Sequence, residues 1–225
     1  AFAYSAMNLP SPLFACGETH DTPRLAARPG KEVLAKMLTV FNHFIPNAIP
    51  FLNSGQEFFE LQPMNTGLDC KPNEAEALPK DDPYYGKLAL FDRYNLHYLH
   101  PRRWEMIEVI EKASKIRSSL LDSMLNPDKV YPLGFSAPWD TAAGFAYRGR
   151  NKITLVITNT DVYNDKEHWV KLDNIPDDFN REGTVLKQIF SSENAVSETD
   201  VLVDSTSNVR IWFKKGEVKV FEIKA

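Results

Sequence analysis

LFACGETHDTPR, residues 13–24, joins a four-residue apolar run to a polar loop. Leu13 to Cys16 lies between Pro12 and Gly17, the punctuation expected around a short strand. The loop beyond it is broken by Pro23, Pro29 and Gly30. From Lys31 to Ile45, Val33, Leu34, Met37, Leu38, Phe41, Phe44 and Ile45 recur at steps of three and four. That period predicts a helix, and Pro46 ends it. A second apolar run, AIPFL at residues 48–52, closes on Asn53-Ser54-Gly55. Strand, loop, helix, strand is the order of a unit with parallel strands, which are buried on both faces and read as continuous apolar runs. Both runs lead into polar loops. In a (β/α) barrel such loops form the active-site face.

Downstream, Gln56 to Arg103 is irregular and rich in Pro, Asn, Asp and aromatic residues. A loop of that length inside a compact domain is usually functional. Tyr85 to Tyr94 is a candidate short helix within it. Trp104 to Leu125 reads as an amphipathic helix with Met106, Ile107, Ile110, Ile116, Leu120 and Leu121 on one face, stopped by Asn126-Pro127. The pattern then changes. Ala143–Tyr147, Lys152–Thr158, Glu167–Leu172, Gly183–Phe190, Val209–Phe213 and Glu217–Ile223 are short β-type segments, with Lys214-Lys215-Gly216-Glu217 as the last hairpin turn. Short strands at near-regular spacing predict an antiparallel sandwich. The boundary falls between Asn126 and Tyr131.

Composition narrows the function classes. The chain has 225 residues, 43% hydrophobic and 25% charged, enough for one large domain or two small ones. The net charge is −4 with both signs dispersed, so no basic block points to nucleic acid. No run reaches the roughly 18 apolar residues of a membrane span. Cys16 and Cys70 make neither a disulfide framework nor a metal motif and are expected to be buried thiols. With no N-x-[ST] sequon, the chain is compatible with the cytoplasm.

Taken in order, the motifs resemble a known family. HDTPR, a helix, PFLNSGQE, a long insertion, a helix ending in KIRSSL, then AGFAYRGRNKITLVITNTD and a closing VKVFEIK resemble the C-terminal half of the α-amylase family, glycoside hydrolase family 13. Thr19-His20-Asp21 is similar to that family's fourth short motif, usually NHD, and IPFLNSGQEFFE to its strand-eight segment. The resemblance implies an α/β plus all-β fold. Residues 1–129 would be the last two βα units of a (β/α)8 TIM barrel, and residues 130–225 a C-terminal antiparallel β-sandwich. Thr19 departs from the usual Asn. The family's nucleophilic Asp and acid Glu lie upstream of these motifs, and a full barrel takes about 250 residues. The expectation is therefore a portion of a longer polypeptide, inactive by itself, whose partner is the remainder of the barrel.

The resemblance also implies roles. Asp21 would be the catalytic transition-state stabiliser, a fixed negative charge beside an oxocarbenium-like centre. His20 would donate a hydrogen bond to the same sugar. Arg24 either neutralises a carboxylate cluster or ties its loop to a neighbour. Glu57 either contacts sugar or holds its own loop. Tyr84, Tyr85 and Trp104 offer faces for stacking on sugar rings. The substrate would be an α-glucan or malto-oligosaccharide, hydrolysed or transferred through a shared covalent intermediate. A non-catalytic sugar-binding fragment and an unrelated binding protein are the competing classes. No metal site is expected: His97 and His100 lack further ligands. No cofactor is expected, with calcium left open in the absent half, and neither nucleic acid nor membrane is a partner. His168 reads as a surface residue and Trp169 as core.

Overall fold

The structure, a computed structural model, describes residues 2–20, 22–61, 81, 101–136, 140–193 and 200–224. The candidate helix at Tyr85 to Tyr94 and Cys70 lie outside the described residues. After a short helix α1 (Phe2–Met7), strand β1 (Leu13–Cys16) pairs in parallel with β2 (Ala48–Phe51), Leu13 facing Ala48 and Cys16 facing Phe51. Helix α2 (Lys31–Asn42) connects them. Ala15 and Ala48 let the helix approach the strands, where they pack with Ile45 and Phe41. Phe14, Ile49 and Phe51 point the other way and are exposed, the two phenyl rings meeting edge to face at 6.1 Å. Cys16 shares the parity of Phe14. It is exposed rather than buried, because that face is uncovered.

Helix α3 (Arg103–Met124) packs against α2 and is fastened to the turn between α2 and β2. Arg117 donates to the carbonyls of His43 at 2.7 Å and Ala48 at 2.6 Å, and the Asn47 N–H donates to the Met124 carbonyl. No helix among the described residues is long and apolar enough to cross a membrane.

Among the described residues nine short strands follow: β3 (Val130–Pro132), β4 (Gly134–Phe135), β5 (Ala142–Arg148), β6 (Lys152–Asn159), β7 (Lys166–Lys171), β8 (Val185–Ser191), β9 (Val201–Leu202), β10 (Asn208–Phe213) and β11 (Val218–Lys224). They form two antiparallel sheets, β3-β5-β6-β11-β8-β9 and β10-β7-β4. Leu155, Ile157 and Phe221 of the large sheet share a core with Val170, Val209 and Ile211 of the small one. The other face of the large sheet, with Val156, Phe145 and Val220, packs on Val40 of α2, Phe44 just past its end, and Val109 and Leu120 of α3. This double covering explains why ITLVIT in β6 is buried at every position, Thr154 and Thr158 included. Lys36 of α2, almost fully buried, pairs with Glu105 of α3 at 3.3 Å and with Glu193 just past β8. Arg102 also hydrogen-bonds Glu105 and holds its carboxyl down to about 2.

Strands β3, β4 and β9 have three residues or fewer, too short to leave a period in the sequence. The expectation for β7 is reversed. His168 is buried and Trp169 is 39% exposed. Strand alternation decides this, since Val170 faces the core and His168, two residues away, must share its side. His168 is held there by Asp140 at 2.5 Å and by the side-chain oxygen of Asn159 at 3.2 Å.

His43 has a pKa lowered from 6.5, mainly by burial and further by the Arg117 charge, although its Nδ1–H donates to the Thr39 carbonyl at 2.7 Å. With the folded value depressed, the unfolded chain takes up a proton below pH 6.5 that the folded chain does not. This contribution is complete above that pH and is lost as pH falls. Between about pH 7 and about pH 5 the melting temperature should therefore drop more steeply in the native sequence than in His43→Gln. Equal slopes would remove His43 from the acid response.

Candidate functional site

Two loops leave the C-terminal ends of β1 and β2, and one carboxylate joins them. Glu18, the second residue past β1, is buried. Its Oε1 accepts from Arg24 Nη1 at 2.7 Å and from Asn53 Nδ2 at 3.1 Å, and its Oε2 accepts from the Leu25 N–H at 2.6 Å. Arg24, fully buried, also donates from Nη1 to the Ser54 carbonyl at 2.8 Å. The pair thus closes the first loop on itself and crosses to the second. Neither charge is tolerable alone at that depth. Gly17 permits the closure: a Cβ there would stand 2.6 Å from Leu25 Cδ1.

The second loop has further braces of its own. Gln56 accepts from the Asn53 N–H with Oε1 and donates from Nε2 to Thr39 Oγ1 of α2 at 2.6 Å. Glu57 accepts from the Gly55 N–H at 2.9 Å. Gly55 has φ +94°, a conformation that favours glycine. Leu52, Ser54 and Glu57 face Ile107, Ile110 and Glu111 of α3 across a cleft of about 340 Å³.

Above this floor stands the turn from Thr19 to Thr22. The Thr19 N–H donates to Thr22 Oγ1 at 2.8 Å, and the Thr22 N–H donates to the Thr19 carbonyl at 3.2 Å. His20, within the turn, is exposed. Asp21, Tyr84, Tyr85, His97 and His100 lie outside the described residues. Trp104, at the start of α3, is 66% exposed. Among the described residues no three His, Cys, Asp or Glu side chains come together as a metal site. The arrangement is a rigid ledge at the ends of two parallel strands, presenting an exposed imidazole beside a preset turn. Such a ledge can position hydrogen bonds to a ligand, and among its described side chains no activated nucleophile is seen.

The sequence reading assigned no role to Glu18, Asn53 or Gln56. The available signal was the opposite charges of Glu18 and Arg24 inside one loop that opens at Gly17 and is broken by Pro23. The partner Asn53 lies 35 positions away and has no local signature.

No protein-family model matches the sequence, and no curated protein matches it. Solved structures do resemble the fold. The α-amylase of Geobacillus thermoleovorans, solved in complex with acarbose, is 12% identical with a TM-score of 0.61, covering 100% of this chain and 42% of its own. The trehalose-6-phosphate hydrolase of Bacillus licheniformis is 18% identical with a TM-score of 0.59, covering 95% and 43%. A maltogenic α-amylase of Thermotoga neapolitana is 15% identical with a TM-score of 0.58, covering 92% and 40%. The chain thus spans about two fifths of the length of these α-amylase-family enzymes, and at such identities the likeness is one of fold.

Removing one member of the buried pair strands the other. Glu18→Ala should cost about 3–5 kcal/mol in chemical denaturation, and Glu18→Gln with Arg24→Met together should cost clearly less. Additive losses would show that the two side chains act separately.

Proposed function

We propose that this chain is the C-terminal portion of a retaining α-glucan-active enzyme of the α-amylase family, a glycoside hydrolase or transglycosylase acting on α-1,4 bonds. In this reading β1, α2, β2 and α3 are the last two βα units of a (β/α)8 barrel, and residues 130–225 are the C-terminal β-sandwich. The observation that carries it is the loop pair at the C-terminal ends of two parallel strands, locked together by Glu18 and Arg24 in the same loop as His20. That end of parallel strands is where barrel enzymes place their chemistry. The exposed side chains of Phe14, Ile49 and Phe51 support it further. An apolar sheet face of this kind is normally covered, and in a barrel it would be packed by the other strands.

The division of labour follows from the charges. A retaining mechanism needs a nucleophilic carboxylate and an acid/base carboxylate about 5 Å apart. In this reading the other barrel strands supply both. Asp21 would place a fixed negative charge beside the oxocarbenium-like centre, where preorganised electrostatics are worth most. His20, exposed on the turn, would donate to a hydroxyl of the same sugar. Glu57, through the Gly55 N–H, sets the second loop's shape. Arg24, buried, sets the height of the ledge. Tyr84 and Tyr85 would contribute to the neighbouring subsites by stacking. Water and a sugar hydroxyl compete for one glycosyl intermediate, so hydrolysis and transfer need no change in these roles.

In the polypeptide completed by the remaining strands, Asp21→Asn should lower turnover of malto-oligosaccharides by at least about 100-fold. The melting temperature should stay within a degree or so of the native value. Unchanged turnover would overturn the assignment.

A further inference from the structure

The first loop is pinned on both sides of its exposed histidine. Upstream, the Glu18 carboxylate accepts from Arg24, Leu25 and Asn53. Downstream, Arg28 donates to the Pro23 carbonyl from Nε at 3.1 Å and from Nη2 at 2.7 Å, and the Ala27 N–H donates to the Arg24 carbonyl at 3.1 Å. Four residues, Thr19 to Thr22, span the interval, and His20 and Asp21 are its two middle positions.

Thr22 closes that interval on itself. Its Oγ1 accepts from the Thr19 N–H at 2.8 Å and donates to the Thr19 carbonyl at 3.3 Å. Its own N–H reaches the same carbonyl at 3.2 Å. One hydroxyl thus grips both polar groups of the Thr19 backbone. The next residue explains why a side chain is used. Pro23 has no N–H with which to tighten the turn, and it biases the residue before it away from helical backbone. Threonine suits the task because its β-branch restricts χ1, so little rotamer freedom is lost when the hydroxyl is held. The exposed imidazole of His20 has no such burial to fix it, so its direction follows the backbone of the turn.

We infer that Thr22 is a positioning residue, whose hydroxyl sets the turn that carries the His20-Asp21 pair toward a bound sugar. The role rests on the function proposed above. Thr22 makes no contact with the reacting atoms in this scheme. It acts through His20 and Asp21, and a turn displaced by about 1 Å is enough to cost a large factor in rate.

Two measurements test it. In the chain itself, Thr22→Val should weaken the proton–nitrogen Overhauser effect at the His20 amide and speed hydrogen exchange at the Thr19 amide. Exchange at Leu25, held by Glu18, should stay as it is, and Thr22→Ser should behave as the native chain. In the polypeptide completed by the remaining strands, Thr22→Val should lower kcat on malto-oligosaccharides about tenfold and move KM by less than about twofold. Thr22→Ser should restore kcat. In the Asp21→Asn background Thr22→Val should cost less than it does alone, since the two residues act as a unit. Thr22→Ala removes the same two bonds and decides the matter if the valine variant fails to fold. Native kcat in Thr22→Val, a loss that serine does not restore, or losses that multiply in full with Asp21→Asn would each overturn the role. Turnover lost in Asp21→Asn but native in Thr22→Val removes only the role of Thr22. Full turnover in Asp21→Asn overturns the proposed function, and this role with it.

Discussion

A single buried ion pair sets the geometry of the candidate site. Glu18 and Arg24 lie six residues apart in one loop, and both are out of solvent. A charge at that depth must be matched, and the match here is dense: the Glu18 carboxylate accepts three hydrogen bonds, two of them from its own loop and one from Asn53. The cost of separating the two charges is therefore also the cost of separating the two loops. Such pairs add little net stability compared with an apolar filling, and what they enforce is a particular geometry. In this chain the geometry enforced is the relative height of the loops at the ends of β1 and β2.

The ledge is in turn carried by the helices. Gln56 reaches Thr39 on α2, and Arg117 on α3 holds the carbonyls of His43 and Ala48 on the way into β2. Both helices then lie on the large antiparallel sheet through Val40, Phe44, Val109 and Leu120. A chain of contacts thus runs from Glu18 through Asn53, Gln56 and Thr39 to α2 and on to the large sheet. One face of β1 and β2 escapes this scheme, and it is the face that a closed barrel would use.

The long elements were legible because they bury one kind of face. The helical period of residues 31–45 and 104–125 reports the contact of α2 and α3 with the sheets, and the ends move by three residues at most. The strands over residues 143–223 were legible as apolar runs between turns. The register of β7 was misread although its alternation was present. Val170 in the core obliges His168 inward and Trp169 outward, against their usual preferences. The polar cage of Asp140 and Asn159 that makes this tolerable comes from distant positions. For the same reason the HD pair was visible in the sequence as a motif, whereas the network beneath it was not. Glu18 and Arg24 are local, but Asn53, Ser54 and Thr39 meet them or Gln56 only after folding.

Whether the pair couples the two loops is settled by backbone amide hydrogen exchange in the native chain and in Glu18→Gln. The account predicts faster exchange at Leu25, whose acceptor carboxylate becomes a neutral amide, and also at Gly55 and Gln56 in the second loop, beyond what the fall in global stability explains. Acceleration confined to the first loop, with Gly55 and Gln56 unchanged, would contradict it.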